Sequence, residues 1–226
     1  NSLGIKPGEI DGILLTHEHT DHIKGLGVML RRYDIPVYTT SGTREALRRI
    51  KDTADIPGER FKVIRPGERF LIGDIEVQSV KTSHDAAESV SFRLSEGDSS
   101  VAVMTDLGMF DESIVRAVSG VNVLLLEANH DVRMLEAGRY PYPLKCRILS
   151  NKGHLSNDSA GALLIKVLHD DLKHVMLGHL SRENNFPELA WETVRMQITM
   201  SDIPYRFGDF DFTVAKRDEM SDCMEF

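Results

Sequence analysis

The sequence predicts an α/β fold in which one sheet packs on another and helices cover the outer faces of the pair. Strands and helices are expected in two blocks, and no low-complexity linker or repeat separates the blocks over the 226 residues. Apolar residues make up 41% of the chain and charged residues 27%, as in ordinary globular proteins. A histidine-rich loop directly follows the first apolar strand. We therefore expect one domain over residues 1–226, with a functional loop at the exit of a buried strand.

The first block is predicted from short apolar segments and turn signals. Residues 11–15 are apolar enough for a buried strand, and Ser41 is of a residue type that caps helices. The alternation around residues 72–75 is typical of a hairpin. The elements expected here are strands at 11–15 and 37–39, helices at 23–33 and 41–50, a hairpin over 70–81, and paired strands at 90–94 and 100–105.

The second block is richer in helix. Residues 121–126 are almost entirely apolar, which favours a buried strand, and Pro187 suits the first turn of a helix. The elements expected here are helices at 111–118, 129–137, 144–149, 157–169 and 187–200, and strands at 121–126, 175–177 and 212–216.

Composition excludes several classes of protein. The longest apolar run, residues 121–126, is far shorter than the roughly 20 residues that span a membrane. The first ten residues do not have the charged start and apolar core of a secretory signal. Two cysteines, Cys146 and Cys223, are too few for a disulfide framework. We therefore expect a cytoplasmic protein with no membrane association.

The charge of the chain limits its interaction with nucleic acids. The formal net charge is −8, and no run of Lys and Arg is longer than two. A protein that contacts many phosphates usually carries a basic face, because counterion release dominates that affinity. The charge therefore disfavours a sequence-specific binder of long duplexes. It is compatible with an enzyme whose metal ions supply the positive charge that a phosphate needs.

Four potential metal ligands lie within six residues: His17, His19, Asp21 and His22. A loop at the end of a strand can direct alternate side chains toward a common centre. His17 and His19 can therefore share one ion while Asp21 and His22 turn toward another. Imidazole and carboxylate donors at such spacing suit zinc, manganese or iron. The alternative, a polar surface turn, is disfavoured because three of the nine histidines of the chain fall in this short segment.

The motif H-x-H-x-D-H after a strand resembles that of hydrolases with the metallo-β-lactamase fold, and further ligands follow in the order of that family. His84 in T-S-H-D, Asp106 in M-T-D-L-G and His179 in L-G-H-L-S match them. The resemblance implies an αββα four-layer sandwich and two divalent metal ions, zinc or manganese, with iron as a further candidate. Metal 1 would be held by His17, His19 and His84, and metal 2 by Asp21, His22 and His179, with Asp106 bridging both. A hydroxide between the ions would be the nucleophile.

Aspartate at position 106 separates the chain from the antibiotic-hydrolysing branch of the family, which often has cysteine there. The aspartate is similar instead to that of the phosphodiesterase, thioesterase and lactonase branches. The segments I-L-L-T-H-E-H-T-D-H, S-H-D-A-A-E, L-L-L-E-A-N-H-D and L-S-N-K-G-H-L-S-N resemble the YycJ (or WalJ) group over about residues 10–194. That resemblance implies a nuclease with exonuclease activity on DNA.

The start of the chain differs from that group. Its members begin with a β-hairpin that carries a Gly-Ser-Ser-Gly-Asn turn and an Asp-Ala-Gly segment, and this sequence starts after that point. We therefore expect the N-terminal strands of the first sheet to be missing. An aspartate near the metals and some substrate contacts would be missing with them.

Other polar residues are candidates for catalysis. His154 precedes a helix that Ser156 or Asn157 could cap, and related transfer-RNA 3′-processing nucleases have a comparable histidine near the scissile phosphate. A histidine there could protonate the leaving oxygen, and the alternative is a hydrogen bond to a loop carbonyl. Asp21 is expected to serve catalysis as well as metal binding. Glu127 is expected to orient a ligand imidazole.

Four residues are candidates for substrate binding: His130, Ser181, Arg182 and Asn184. The last three, with Asn185, closely follow the predicted ligand His179. An arginine, amides and a hydroxyl can hold a non-bridging phosphate oxygen, and the alternative is a solvated turn. His130 can line the cleft or serve the structure alone.

The ligand motif, taken with the resemblance to the YycJ group, implies a metal-dependent phosphodiesterase that acts on nucleic acid. The resemblance favours DNA over RNA as the substrate, and we expect a 5′-exonuclease. A thioesterase or lactonase of the glyoxalase II type is the alternative, favoured by the net acidity. A non-enzymatic partner of a cell-wall signalling system is a third interpretation, disfavoured because all seven ligands are retained. No oligomeric state is predicted.

Overall fold

Residues 4–224 are described by the computed structural model, so the ends of the predicted domain, residues 1–3 and 225–226, lie outside the described residues. The chain falls into two compact units. The first comprises the residues up to 81 together with 85–94, and the second comprises residues 82–84 together with those from 95 onward. The single domain over residues 1–226 stays a prediction.

The first unit is built around a small parallel sheet. Val37 pairs with Ile13 on one side and with Phe61 on the other, so the strand order is β1-β2-β3. Leu15, Leu30 and Leu47 are buried in its core. The elements are β1 Ile13–Leu14, α1 Thr20–Ile23, α2 Leu26–Arg32, β2 Val37–Thr40, α3 Ser41–Leu47, β3 Phe61–Ile64, β4 Arg69–Ile72 and β5 Ile75–Lys81, with β6 Val90–Glu96 ending in the second unit.

Three features of this unit differ from the expectation. The helix expected at 23–33 is the shorter α2, a separate short helix, α1, precedes it, and strand β3 was not predicted. Helix α3 is capped by Thr40 rather than Ser41: Oγ1 of Thr40 accepts from the amide of Thr43 and also donates to the carbonyl of Glu88 at 2.7 Å. The predicted hairpin is present, because β4 and β5 pair antiparallel around Gly73, whose φ is +58°.

The second unit is built around a parallel sheet with the order β10-β9-β8-β7. Val123 of β8 pairs with Val101 and with His174, and His174 pairs in turn with Asp211. Leu124, Leu126 and Leu177 are fully buried on this sheet. The elements are β7 Ser99–Met104, α4 Glu112–Val118, β8 Val123–Glu127, α5 Val132–Ala137, α6 Tyr142–Ile148, α7 Asn157–Val167, β9 His174–Gly178, α8 Pro187–Met200 and β10 Asp211–Val214.

Parallel neighbours need crossover connections, which here carry helices. Asp111, Asp131 and Ser156 cap three of these helices through their side-chain oxygens. The cap at Asp131 explains why α5 begins later than the expected position 129. Within residues 4–224, the helices are all too short or too polar to cross a bilayer.

Candidate metal centre

The H-x-H-x-D-H loop lies in the first unit, where Thr16 orients two of its rings. Oγ1 of Thr16 is 3.0 Å from Nδ1 of His17 and 3.2 Å from Nδ1 of His22. The two ring centroids are 4.1 Å apart. A hydroxyl oxygen has two lone pairs and can accept a hydrogen bond from each of the two ring nitrogens. Thr16 can therefore hold both imidazoles by Nδ1, which leaves Nε2 of each ring as the atom to bind an ion.

The other residues of this loop alternate between anchoring and exposed positions. Oε1 of Glu18 accepts from the amide of Ala87 at 2.8 Å, which ties the loop to the segment before β6. His19 is the N-cap of α1, and its Nε2 lies 3.9 Å from Oδ1 of Asp85. Asp21 is 69% exposed and lies 3.5 Å from Nε2 of His22. Of the predicted ligands, His17, His19, Asp21 and His22 belong to this unit.

The second unit brings three acidic or imidazole groups to one edge of its sheet. Asp106 follows β7, Glu127 ends β8, and His179 follows β9. Because these three strands are adjacent and parallel, their carboxyl ends lie at the same edge, where α/β sheets bind ligands. Asp106 and His179 have φ of +61° and +57°, in the left-handed region. Backbone strain of this kind persists where the surroundings enforce it, and it clusters at functional sites.

The histidines around Asp106 present the nitrogen atom that binds metals. Nδ1 of His84 is 3.0 Å from the carbonyl of Gly153, so it carries the proton and Nε2 carries the lone pair. Nδ1 of His179 is held by Glu127 in the same way. Both Nε2 atoms lie near Oδ1 of Asp106, at 3.5 Å for His84 and 3.7 Å for His179.

These distances fit a cation. A lone pair that faces a carboxylate oxygen at 3.5 Å makes no hydrogen bond and is repelled by it. Two donor atoms each about 2.1 Å from a tetrahedral zinc ion lie about 3.4 Å apart, close to the separations observed here. Ligand atoms of Asp106, Glu127, His154 and His179 also lie within 4.8 Å of one another. The donor set of this unit therefore suits a divalent metal ion.

Glu127 connects most of this cluster. Its side chain is fully buried, and one oxygen accepts from the backbone amides of Leu107 and Leu155 at 2.9 and 3.0 Å. The other oxygen lies 2.6 Å from Nδ1 of His179 and 2.8 Å from Nδ1 of His154. Burial alone would raise the pKa of Glu127, but the hydrogen bonds from the two histidines hold that pKa well below its usual range. The predicted contact between Glu127 and an imidazole is present, and the carboxylate stays ionised.

His154 lies between the rings of two predicted ligands. Its centroid is 5.1 Å from that of His84 and 5.3 Å from that of His179. Its side chain is 21% exposed, and Nδ1 points to Glu127 rather than to a loop carbonyl. Ser156 caps the following helix, as predicted. Because Nδ1 is engaged, Nε2 is the atom of His154 that can act on a substrate.

The predicted substrate-binding residues differ in exposure. Arg182 is 72% exposed and lies 3.7 Å from Asp218, and Ser181 is half-buried. Asn184 and His130 are buried, each 1% exposed. Burial lowers the pKa of His130 to about 4, so this ring is neutral near pH 7.

Sequence reasoning missed a network of asparagines behind His179. The side-chain amide of Asn129 donates to the backbone carbonyl of His179 at 2.8 Å. The backbone carbonyl of Asn129 accepts from the backbone amide of Ser181 at 2.7 Å. The Asn185 amide pairs with that of Asn157 through bonds of 3.0 and 2.8 Å. Asn185 also donates to the carbonyl of Asn129 at 3.2 Å. These contacts join residues up to 56 positions apart, so local sequence patterns carry no signal for them.

Comparison with known proteins identifies relatives over most of the chain. Residues 3–180 match the β-lactamase superfamily domain. The chain is 42% identical over 182 residues to exodeoxyribonuclease YycJ of Bacillus anthracis, across 80% of this chain and 68% of that protein. It is 38% identical over 198 residues to exodeoxyribonuclease WalJ of Streptococcus pneumoniae, across 88% of this chain and 74% of that protein.

Solved structures agree on the fold. The metallo-β-lactamase fold protein YhfI of Bacillus subtilis superposes with a TM-score of 0.67 at 16% identity, across 94% of this chain and 78% of that one. The predicted metallo-β-lactamase fold is thereby confirmed. At this identity the structural likeness concerns the fold alone.

Proposed function

Since the chain belongs to the β-lactamase superfamily, and within it to the family of the exodeoxyribonucleases YycJ and WalJ, we propose that it is a metal-dependent 5′-exonuclease that hydrolyses the phosphodiester bonds of DNA. The identity to two exodeoxyribonucleases over most of the chain carries this proposal. Hydrolysis by a metal-dependent nuclease follows from the family. The choice of DNA over RNA and the 5′ polarity are our proposals.

We assign two divalent ions to the seven predicted ligands. Metal 1 would be held by His17, His19 and His84, metal 2 would be held by Asp21, His22 and His179, and Asp106 would serve both. The convergence of the His84 and His179 lone pairs on Asp106 supports the assignment within the second unit. Zinc or manganese suits these donors, with iron as a further candidate. Such ions polarise a phosphate and lower the pKa of water.

The residues of the chain orient the metal ligands and supply the proton for the leaving group. Glu127 fixes the rings of His154 and His179. The carbonyl of Gly153 fixes the ring of His84, and Thr16 fixes the rings of His17 and His22. His154 holds a proton at Nε2 and delivers it to the leaving oxygen, while Glu127 stabilises the positive charge of the protonated ring. Asp21, exposed beside His22, is proposed to serve the reaction as well as metal 2.

Substrate contacts are proposed on the turn after His179. Ser181 and Arg182 offer a hydroxyl and a guanidinium to a non-bridging phosphate oxygen, and the exposure of Arg182 leaves it accessible. His130 and Asn184 stay predictions, since both are buried. The cytoplasm is our proposed location, because the free thiols of Cys146 and Cys223 suit a reducing compartment.

Digestion of labelled oligonucleotides tests the proposal. We expect the metal-loaded protein to shorten DNA from its 5′ end, faster than RNA of the same sequence. Chelation and Asp106→Ala should each abolish the reaction, while Asp98→Ala on an exposed turn should leave it unchanged. Intact single- and double-stranded DNA after incubation with the metal-loaded protein would refute the proposal. Hydrolysis of a thioester panel by the same preparation would then support the thioesterase alternative.

A further inference from the structure

A pocket of about 630 Å³ opens beside the turn that follows His179. It lies within the second unit, and its lining includes Arg182, Phe186, Pro187, Lys216 and Arg217. We propose that this pocket binds one nucleotide of the DNA strand, with the base stacked on Phe186 and the backbone phosphates held by Arg182 and Lys216. The inference rests on the proposed nuclease function and names a binding site for its substrate.

The position of Phe186 at the start of α8 is unfavourable for the stability of that helix. It occupies the N-cap of α8, a position where Ser, Thr, Asp or Asn would stabilise the helix by about 1 kcal/mol. A phenylalanine side chain cannot accept the backbone hydrogen bonds of that helix end, and yet it is 47% exposed rather than packed in the core. An exposed aromatic ring at a position that favours a polar cap is therefore best explained by a partner that covers the ring.

The backbone of Phe186 is held rigidly. Its amide donates to Oδ1 of Asn185 at 3.0 Å, and Asn185 is 6% exposed. Asn185 is itself anchored to Asn157 and to the carbonyl of Ala128 at 2.8 Å. A ring on an anchored backbone loses little conformational entropy when a base stacks on it. Base–aromatic stacking is the sequence-tolerant contact by which proteins bind single strands.

The lining of the pocket is positively charged, whereas the chain as a whole is negatively charged. The whole chain carries a net charge of −8, whereas the pocket lining has three cations and one carboxylate, Asp218. Arg217 donates to the carbonyl of Leu180 at 2.6 Å and so braces the turn. Arg182 and Lys216 have exposed side chains, 72% and 49%, that lie 3.7 and 4.0 Å from Asp218 and Asp222. Ion pairs between exposed side chains are weak, so a phosphate can displace both carboxylates.

The N-terminus of α8 adds to this potential. The helix has 14 residues, and its first turn lies at Pro187, which lines the pocket. The positive end of the helix dipole favours a phosphate group. A cationic lining disfavours a metal ion, and a pocket of this size is typical of small-ligand sites. An aromatic ring with two accessible cations therefore fits a nucleotide.

Phe186 variants test the stacking contact through the split between KM and kcat. Phe186→Ala and Phe186→Leu should raise KM for a single-stranded oligonucleotide by about 5- to 100-fold, with kcat within about twofold of wild type. Phe186→Tyr should restore the wild-type KM, because it keeps the aromatic face. The matched control is Met200→Ala, since Met200 is 79% exposed at the other end of the same helix. A wild-type KM in Phe186→Leu would overturn the stacking contact.

Charge variants test the phosphate contacts. Arg182→Gln and Lys216→Gln should each weaken binding and reduce the slope of log K against log salt by about 0.7, as expected for one contact to single-stranded nucleic acid. Lys166→Gln on the exposed face of α7 should leave the slope unchanged. An unchanged slope in both pocket variants would overturn these contacts.

Binding by the metal-free protein separates this inference from the proposed function. The fluorescence of an oligonucleotide that carries 2-aminopurine should be quenched when the oligonucleotide binds the wild-type protein in the presence of chelator. The Phe186→Ala variant should not quench it. If the oligonucleotide binds in this way but is not cleaved after metal is added, the proposed nuclease function is refuted and the proposed nucleotide pocket is still supported. If the oligonucleotide is cleaved and the wild type and Phe186→Ala quench its fluorescence equally, the proposed nucleotide pocket is refuted and the nuclease function is still supported.

Discussion

Oε1 of Glu127 lies 2.6 Å from Nδ1 of His179, and the same atom lies 2.8 Å from Nδ1 of His154. One buried carboxylate therefore sets the orientation of a proposed ligand and of the proposed acid. Glu127 can do both because it ends the strand between those that precede Asp106 and His179. Metal binding and proton transfer should accordingly depend on the same side chain.

Replacement of Glu127 should weaken metal binding without unfolding the protein. Glu127→Gln keeps an oxygen for the amides of Leu107 and Leu155 but removes the charge that both histidines contact. Loss of a carboxylate that orients a ligand imidazole typically lowers metal affinity 10- to 100-fold, and we expect a decrease of about that size. Titration with zinc against a competing chelator measures it. Glu112→Gln, at an exposed position of α4, is the control, and equal affinity in the two variants would contradict the role of Glu127.

The backbone at His179 predicts an unusual order of stabilities in the metal-free protein. With φ at +57°, a residue with a Cβ is strained there, whereas glycine is not. His179→Gly should therefore be more stable than His179→Ala by about 1 kcal/mol, after allowance for the greater freedom of glycine in the unfolded chain. Urea unfolding in the presence of chelator measures the difference.

In the control for this prediction, the glycine variant is expected to be less stable than the alanine variant. Met196 is exposed inside α8, where glycine destabilises relative to alanine by about 1 kcal/mol. Met196→Gly should thus be the less stable variant of its pair. The same order at both positions would show that the backbone of His179 is not strained.

The proposed ligands could be predicted from the sequence because each follows a strand within a short motif. Asp106 and His179 stand directly after apolar runs, and parallel strands bring such positions to one edge. Strand β3 was missed because Lys62 interrupts its apolar pattern and its side chains are partly exposed. The Asn157–Asn185 pair was missed because the two residues are 28 positions apart and meet only through tertiary packing.

Close backbone packing behind His84 makes Gly108 sensitive to substitution. A Cβ at this position would overlap the backbone of Asn151 and lie 2.5 Å from the amide nitrogen of Gly153, whose carbonyl holds His84. Gly108→Ala should therefore destabilise the protein by about 1–3 kcal/mol and weaken its metal affinity. Gly8→Ala is the matched control, because a Cβ there meets no atom of the described residues within 4 Å. Urea unfolding and metal titration measure both effects, and equal stability of the two variants would contradict the packing constraint.

His130 should make the protein sensitive to acid. Burial lowers its pKa from 6.5 to about 4, so between these pH values the unfolded chain binds a proton that the folded chain does not. Stability from this residue is fully present above pH 6.5 and is lost as the pH falls to about 4. The shift corresponds to roughly 3 kcal/mol. Because the native pKa is depressed, His130→Gln should lose less stability on acidification than the wild type.

The free energy of unfolding at pH 7 and at pH 4.5, measured in chelator for wild type and His130→Gln, tests this directly. His130→Gln can be less stable at pH 7, since it alters a buried side chain, but only the change with pH matters. The other histidines are common to both proteins, so their titration cancels in the difference. Parallel pH profiles of the two proteins would mean that His130 gains its proton as readily in the folded chain as in the unfolded one. The ring would then be accessible to solvent, and the case for His130 as a substrate contact would be strengthened.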